Sequence, residues 1–491
     1  MLLDDYGLEF VDKDISPWGG VSLLFRMLSK CKYEEALGSF GLPRQGSNRG
    51  YPPLQLIQGM FAGVWCGAGC FEHLDIVRYD QTLGKMLGWK RNADHRAYQR
   101  YLNKFTQAVN SRCFDAMYSW FFDNLEFDNY TLDFDSTVMN RSGEQEGSAK
   151  GYNPRRPGRK SVHPLLAFVA DIRMIANYWL RPGNTGATTN FLSFLENTLS
   201  RLRNKNVGLI RADSGFYSKE IFDYLEGKTL PYIIACRFTS CFKYALVHQQ
   251  VWTEIADGID IAETTYQAQN WQAPRRIVMV RQQIEKRPKA AGKKIKQLEL
   301  FTDDEKLGNY RYSCYITNLT LPARVVYDTY RGRADSENRI KELKHDFSID
   351  RFTLHDFWAS EACGNFIVMA YNFMSLFRHA LINSTHKPFL KTIRYKLFAV
   401  AGYITQTADR KTLHLAKGLR NREAFPGIRR SLNDSLMPYV YPQSSNDRFG
   451  LNNIKRRLDL LFGENHSLEL QDEKTCYTVK LQIKYEMYHS R

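Results

Sequence analysis

A chain of 491 residues is too long for one ordinary core and predicts two to four domains. Its composition, 43% hydrophobic and 24% charged, excludes the disordered and fibrous classes. With 68 Lys and Arg against 52 Asp and Glu, the formal net charge is +16, which suits a polyanion partner, nucleic acid first, or equally a merely basic soluble protein.

The N-terminus, MLLDDYGLEF, has two early acids and no basic stretch before an apolar run, so no secretory signal is expected. Nine cysteines are scattered along the chain without a Cys-x2-Cys pair. Neither a zinc ribbon nor a thioredoxin-like site is thereby indicated, and the scatter fits reduced, buried thiols. Residues 1–125 read as helical, with apolar positions at Leu54, Ile57, Phe61, Val64 and Trp65 after a Pro52-Pro53 start. His95, Arg96, Arg100 and Lys104, interleaved with Tyr98 and Tyr101, suit a DNA-binding face or an ordinary solvated one equally.

The texture changes at Asp128. YTLDFDSTV (130–138) alternates as a strand, HPLLAFVAD (163–171) and MIANYWLRPG (174–183) predict two more, and a helix follows around Phe191, Leu195, Leu199 and Leu202. VGLIRAD (207–213), a helix near Lys219–Gly227 and YIIACR (232–237) complete an α/β core with a mixed sheet. Strand-like RRIVMVRQQI (275–284) precedes KRPKAAGKKIKQ (286–297), whose charge and glycine predict an exposed loop. YRYSCYITN (310–318) leads into a long helical region from about Ala323 to Phe347. Residues 360–382 predict a buried apolar helix; its densest stretch, 366–377, is too short to span a membrane. Basic clusters recur at Arg420–Arg430 and Lys455–Arg457.

On a helix, Tyr330, Arg333, Glu337, Lys341 and Lys344 share one narrow stripe, while Ile340, Leu343 and Phe347 share a neighbouring, core-facing one. A carboxylate among cations and a phenol suits phosphate handling, but taken alone such a stripe is more often a solvated helix with four-residue ion pairs. The company of two other acids raises its significance. Strand alternation puts Asp133 and Asp135 on one side of their strand, where acids need a cation or solvent nearby. Asp213 ends an apolar strand before Ser214-Gly215, a position that suits a ligand or, equally, a turn cap. Asp135, Asp213 and Glu337 could together hold two Mg²⁺ or Mn²⁺ ions about 4 Å apart, for in-line displacement at phosphorus.

These residues resemble the DDE insertion-sequence transposases with an RNase H-like core, specifically the group carrying a Tyr-x2-Arg-x3-Glu-x6-Lys signature. Tyr330, Arg333, Glu337 and Lys344 match that spacing. DST (135–137) resembles the segment of the first Asp, RADSGF (211–216) that of the second, and GYNPRRPGRKSVHPLLAF (151–168) with RPGNT (181–185) resembles one subgroup. The resemblance covers about residues 128–350. It implies that Asp135, Asp213 and Glu337 are catalytic and bind metal, and that Tyr330, Arg333 and Lys344 contact DNA. Lys341 and the loop cations Arg155, Arg156, Arg159 and Lys160 are further candidates for backbone contact.

From Asp213 to Glu337 the chain runs 124 residues, which in relatives accommodates a mostly β insertion. In such relatives an aromatic ring stacks on a flipped base. Trp252, Trp271 and Trp179 are the candidates here, each more often a core residue. The expected architecture is α/β: an RNase H-like catalytic core with mixed sheet, a β-rich insertion domain, a helical N-terminal region and a mostly helical C-terminal region. The expected boundaries are a DNA-binding region at 1–125, core at 126–240, insertion at 241–309, core with the signature helix at 310–375, and a dimerisation or DNA-binding region at 376–491. The implied function is cut-and-paste transposition, with hairpin ends as one second-strand route. It would act on double-stranded DNA (terminal inverted repeats and target), as a homodimer on DNA, without a membrane, in the bacterial cytoplasm at the nucleoid. The alternatives are a two-metal nuclease without strand transfer and a catalytically silent, transposase-derived DNA-binding protein.

Overall fold

The computed structural model describes residues 7–238, 251–284, 310–381, 388–408, 410–416 and 418, together with the backbone of strands 466–473 and 476–483. The basic run at 286–297 and the clusters at 420–430 and 455–457 lie outside the described residues. No helix among the described residues is long and apolar enough to cross a membrane. The seven cysteines whose side chains are described are all free, and five of them, including Cys66 and Cys363, are buried.

The N-terminal region is helical: α1 (Ser22–Lys30), α2 (Tyr33–Ser39), α3 (Pro53–Cys66), α4 (Asp75–Arg78), α5 (Gln81–Met86), α6 (His95–Leu102) and α7 (Gln107–Asp123). Local signals set their ends. Asp80 and Asp94 cap α5 and α6 by accepting the backbone N–H groups of Leu83 and Ala97 at 2.8 and 2.9 Å. Proline occupies the first position of α3, and Gly67, at φ 110°, stops it.

Strands β1 (Tyr130–Ser136), β5 (Leu165–Val169), β6 (Met174–Trp179), β7 (Val207–Ala212) and β8 (Tyr232–Ala235) form the core sheet in the order β6-β5-β1-β7-β8. β5 runs antiparallel to both β1 and β6, whereas β7 is parallel to β1 and to β8. This is the RNase H-like arrangement. Short strands β2 (Met139–Asn140), β3 (Ala149–Lys150) and β4 (Lys160–Val162) make a separate small sheet beneath the 151–159 loop. β9 (Thr253–Ala256), β10 (Ile259–Tyr266), β11 (Arg275–Gln283) and β12 (Tyr310–Thr317) then extend the core sheet, with β12 pairing antiparallel to β8. The β-rich segment between Asp213 and Glu337 is thus continuous with the core by hydrogen bonding.

Helices α8 (Phe191–Leu202) and α9 (Lys219–Gly227) connect core strands. Phe134 of β1 points towards α8, its ring 5.0 Å from that of Phe191. Asp133 and Asp135 point the other way, as strand alternation predicts. There they meet α10 (Ala323–Arg331) and α11 (Ala334–His345), which divide the expected helical region between them. At the junction Thr329 O accepts from Arg211 Nη1 at 2.5 Å. Arg333 N bonds to Tyr330 O at 2.9 Å, tightening the turn around Gly332.

The long helix α12 (Phe357–Leu381) packs on α3, α7 and β6, joining the N-terminal helices to the sheet. Trp65 of α3 donates its indole N–H to Ala370 O at 3.2 Å. Gly364 lets α12 close on β6, because a Cβ there would lie 2.6 Å from the Tyr178 ring. Beyond it, the described residues form a short helix and two hairpins, β13–β14 (Gly402–Thr407, Arg410–Leu415) and β15–β16 (His466–Glu473, Cys476–Ile483). The helical pattern of the C-terminal sequence had not separated these strands.

Candidate active site

Three segments meet at one cleft. β1 delivers Asp135 from its penultimate position, Asp213 follows the last residue of β7, and α11 presents Glu337 in its first turn. All three line a cleft of about 870 Å³, together with Tyr330, Arg333, Lys341, Lys344 and Arg155. A second cavity of about 560 Å³ lies elsewhere, between α7, β6 and α12, and contains none of these residues.

Asp135 is buried and pairs with Arg333, whose Nη2 stands 3.0 Å from Oδ2. Burial pushes the Asp135 carboxyl up to about 6. Arg333 opposes that rise, while Asp213 and Glu337 add to it by repulsion. Burial works against the Arg333 charge, yet Asp135, Tyr330 and Asp213 together hold the guanidinium above its usual range. The same Nη2 donates to Phe134 O at 3.1 Å, so Arg333 serves the floor of the cleft in this arrangement. Asp213 accepts the Gly215 N–H at 2.8 Å on Oδ1. It is therefore a turn cap as well as a cleft residue, and the two sequence readings of it are compatible.

Lys344 reaches back to the chain leaving β1, donating to Thr137 Oγ1 at 2.5 Å and Val138 O at 2.9 Å. Burial first, and Arg155 second, lower its ammonium below the ordinary value. Tyr330 donates to Ala212 O at 3.3 Å and packs its ring 4.4 Å from Tyr315. Its phenol is raised by burial, well above the usual range. Glu337 and Lys341 are exposed; Leu343 and Phe347 are buried in the core, and Ile340 is half-buried at the wall.

Of the loop cations, exposed Arg155 lines the cleft. Arg156 and Arg159 are exposed nearby, while Lys160 forms an ion pair with Glu144 at 2.7 Å. None of the three tryptophans lines the cleft. Trp271 is buried beneath Arg275, 4.8 Å from its ring centroid. Trp252 carries Arg281 over its face at 4.5 Å. Trp179 donates to Asn197 Oδ1 at 3.2 Å and lines the second cavity.

Sequence reading missed Tyr152, Asn153, Arg331 and Arg351, which also line the cleft. It also missed the partner of Asp133, which is Arg211. The signal for that pair was present: an arginine inside the apolar strand VGLIRA, and an acid at spacing two on β1 that required a cation.

The acidic set is all oxygen donors, the chemistry of a hard divalent cation. Among the described residues no three potential ligands are closed up into a ready-made metal site. Repulsion from Asp213 and Glu337 nonetheless raises Asp135, and a cation between them would relieve it. The residues present fit such an ion, with Glu337 the exposed member of the three.

The family model described as Transposase DDE domain group 1 matches residues 7–435, most of the chain. No curated protein matches the sequence. Among solved structures, the cryo-EM structure of the piggyBac transposase synaptic complex with hairpin DNA is similar over 89% of this chain and 88% of that one. The identity is 13% and the TM-score 0.40.

Proposed function

We infer that this chain, which belongs to the DDE transposase family, cleaves DNA at the ends of an insertion sequence and joins those ends to target DNA. The single observation that supports this most is the meeting of Asp135, Asp213 and Glu337 in one cleft rimmed by cations. Within the family, we assign the chain to the group with the Tyr-x2-Arg-x3-Glu-x6-Lys signature, on Tyr330, Arg333, Glu337 and Lys344.

In this reading Asp135, Asp213 and Glu337 hold two Mg²⁺ or Mn²⁺ ions. Bound there, the ions supply Lewis-acid stabilisation of the phosphate and activation of the attacking water or 3′-hydroxyl. Exposed Lys341 and Arg155 draw the DNA backbone into the cleft and neutralise phosphates. Arg333 keeps buried Asp135 ionised, and Lys344 ties α11 to the chain leaving β1. Tyr330 supports the cleft wall from beside Asp213. Arg156, Arg159 and Lys160 extend the basic loop along the DNA. Residues 1–125 and 376–491 are proposed to recognise ends and to pair two copies on DNA, with the core divided at 240 and 310 around the insertion.

Asp213→Ala tests the assignment with purified protein and terminal-repeat DNA. Cleavage and joining are expected to vanish while end binding, measured by gel shift, stays within about twofold of wild type. Unchanged cleavage would sink the assignment. Ends that are cut by wild type but never joined to target would favour a nuclease.

A further inference from the structure

Behind the three carboxylates lies one buried cluster that touches each segment carrying them. Asp133, fully buried on β1, stands two residues before Asp135. Its partner in the parallel ladder is Arg211 of β7, two residues before Asp213. The guanidinium forks onto the carboxylate, Nε to Oδ1 at 2.6 Å and Nη2 to Oδ2 at 2.8 Å. Ser336, next to Glu337 and also fully buried, donates its hydroxyl to Asp133 Oδ2 at 2.8 Å. The remaining arm of Arg211, Nη1, donates to Thr329 O, directly before Tyr330. None of the three side chains lines the cleft.

We propose that Asp133, Arg211 and Ser336 are positioning residues that set the spacing of Asp135, Asp213 and Glu337; the proposal rests on the catalytic reading of those three carboxylates. A forked arginine–carboxylate pair has essentially one geometry. Each anchor is one or two residues from the group it places, which leaves little slack between an error in the cluster and an error in the site. A buried ion pair is also a poor stabiliser compared with apolar packing of equal volume, so its presence here is better explained by the geometry it imposes. The chain leaves room for it at Gly332, where a Cβ would stand 2.8 Å from Arg211 Nη1 and push the guanidinium aside.

The test compares Ser336→Ala and Gly332→Ala with Glu337→Ala in the full-length protein. Ser336→Ala removes one hydrogen bond and leaves the ion pair intact, so it should fold. Four quantities are measured: the cleavage kcat on terminal-repeat DNA, the Kd for that DNA, Mn²⁺ binding by electron paramagnetic resonance, and Tm. Both cluster variants should lose about tenfold or more in kcat. They should also need severalfold more Mn²⁺ for half-saturation, with DNA Kd close to wild type in both and Tm close to wild type in Ser336→Ala, which leaves the buried ion pair intact. Wild-type kcat and Mn²⁺ binding in both variants would overturn the proposal. So would a loss of cleavage that merely follows a lowered Tm or an equal loss of DNA binding. Glu337→Ala separates the two levels. If it cleaves like wild type, the catalytic reading itself fails; if it is inactive while the cluster variants are normal, only the positioning proposal fails.

Discussion

Asp135 is where burial and charge meet most directly. Its carboxyl is raised from an ordinary 3.8 to about 6, first by burial and then by its acidic neighbours. A folded-state value above the unfolded one means that the folded chain holds this proton more tightly. The charged form therefore costs stability above about pH 6, and that cost disappears as the pH falls towards 4. Activity has the opposite dependence, because a protonated carboxyl is a poor ligand. Cleavage should fall about tenfold per pH unit below about 6, and more Mg²⁺ or Mn²⁺ should move this acid limb to lower pH. A rate profile at two ion concentrations checks both; an acid limb that ignores the ion would contradict the role given to Asp135. At this scale the sequence was informative, since strand alternation alone put Asp133 and Asp135 on one face. It could not say that one would meet Arg211 and the other Arg333, because those partners come from segments 78 and 198 residues away.

At the scale of elements, the periodic signals predicted most strands and helices close to where they stand, including Lys219–Gly227 and the buried helix α12. The signature segment is divided at Gly332, where Arg333 N bonds to Tyr330 O and Arg211 of β7 bonds Thr329 O, a contact that no local periodicity predicts. The tryptophans show the same dependence on distant partners. Trp271 is occupied by Arg275, which also bonds Asp223 and Glu226 at 2.6–2.8 Å and so fastens β11 to α9. Arg275→Ala should therefore destabilise the chain by about 2–3 kcal/mol, through the loss of hydrogen bonds to charged partners. Urea unfolding measures this directly. A midpoint equal to wild type would show that the tie between β11 and α9 carries no weight.

For the molecule as a whole, the DNA binding proposed above should depend on salt, because each phosphate neutralised by a Lys or Arg releases counterions. If the exposed loop carrying Arg155, Arg156 and Arg159 follows the backbone, replacing all three with alanine should weaken DNA binding. The slope of log affinity against log salt should shrink by about 2–3, roughly 0.9 for each lost phosphate contact. An unchanged slope would remove the loop from the interface. The sequence by itself determined the residue types, their order, and the local periodicities that form strands and helices. Together with the family resemblance they point to Asp135, Asp213 and Glu337 as candidates and to an α/β core that carries them. Only the tertiary structure decided how the three segments close on one cleft, that Arg211 meets the signature segment at Thr329, and that the tryptophans lie outside that cleft. Hydrophobic periodicity is a property of neighbours along the chain, whereas a forked ion pair or a captured carbonyl exists only once distant strands and helices have packed together.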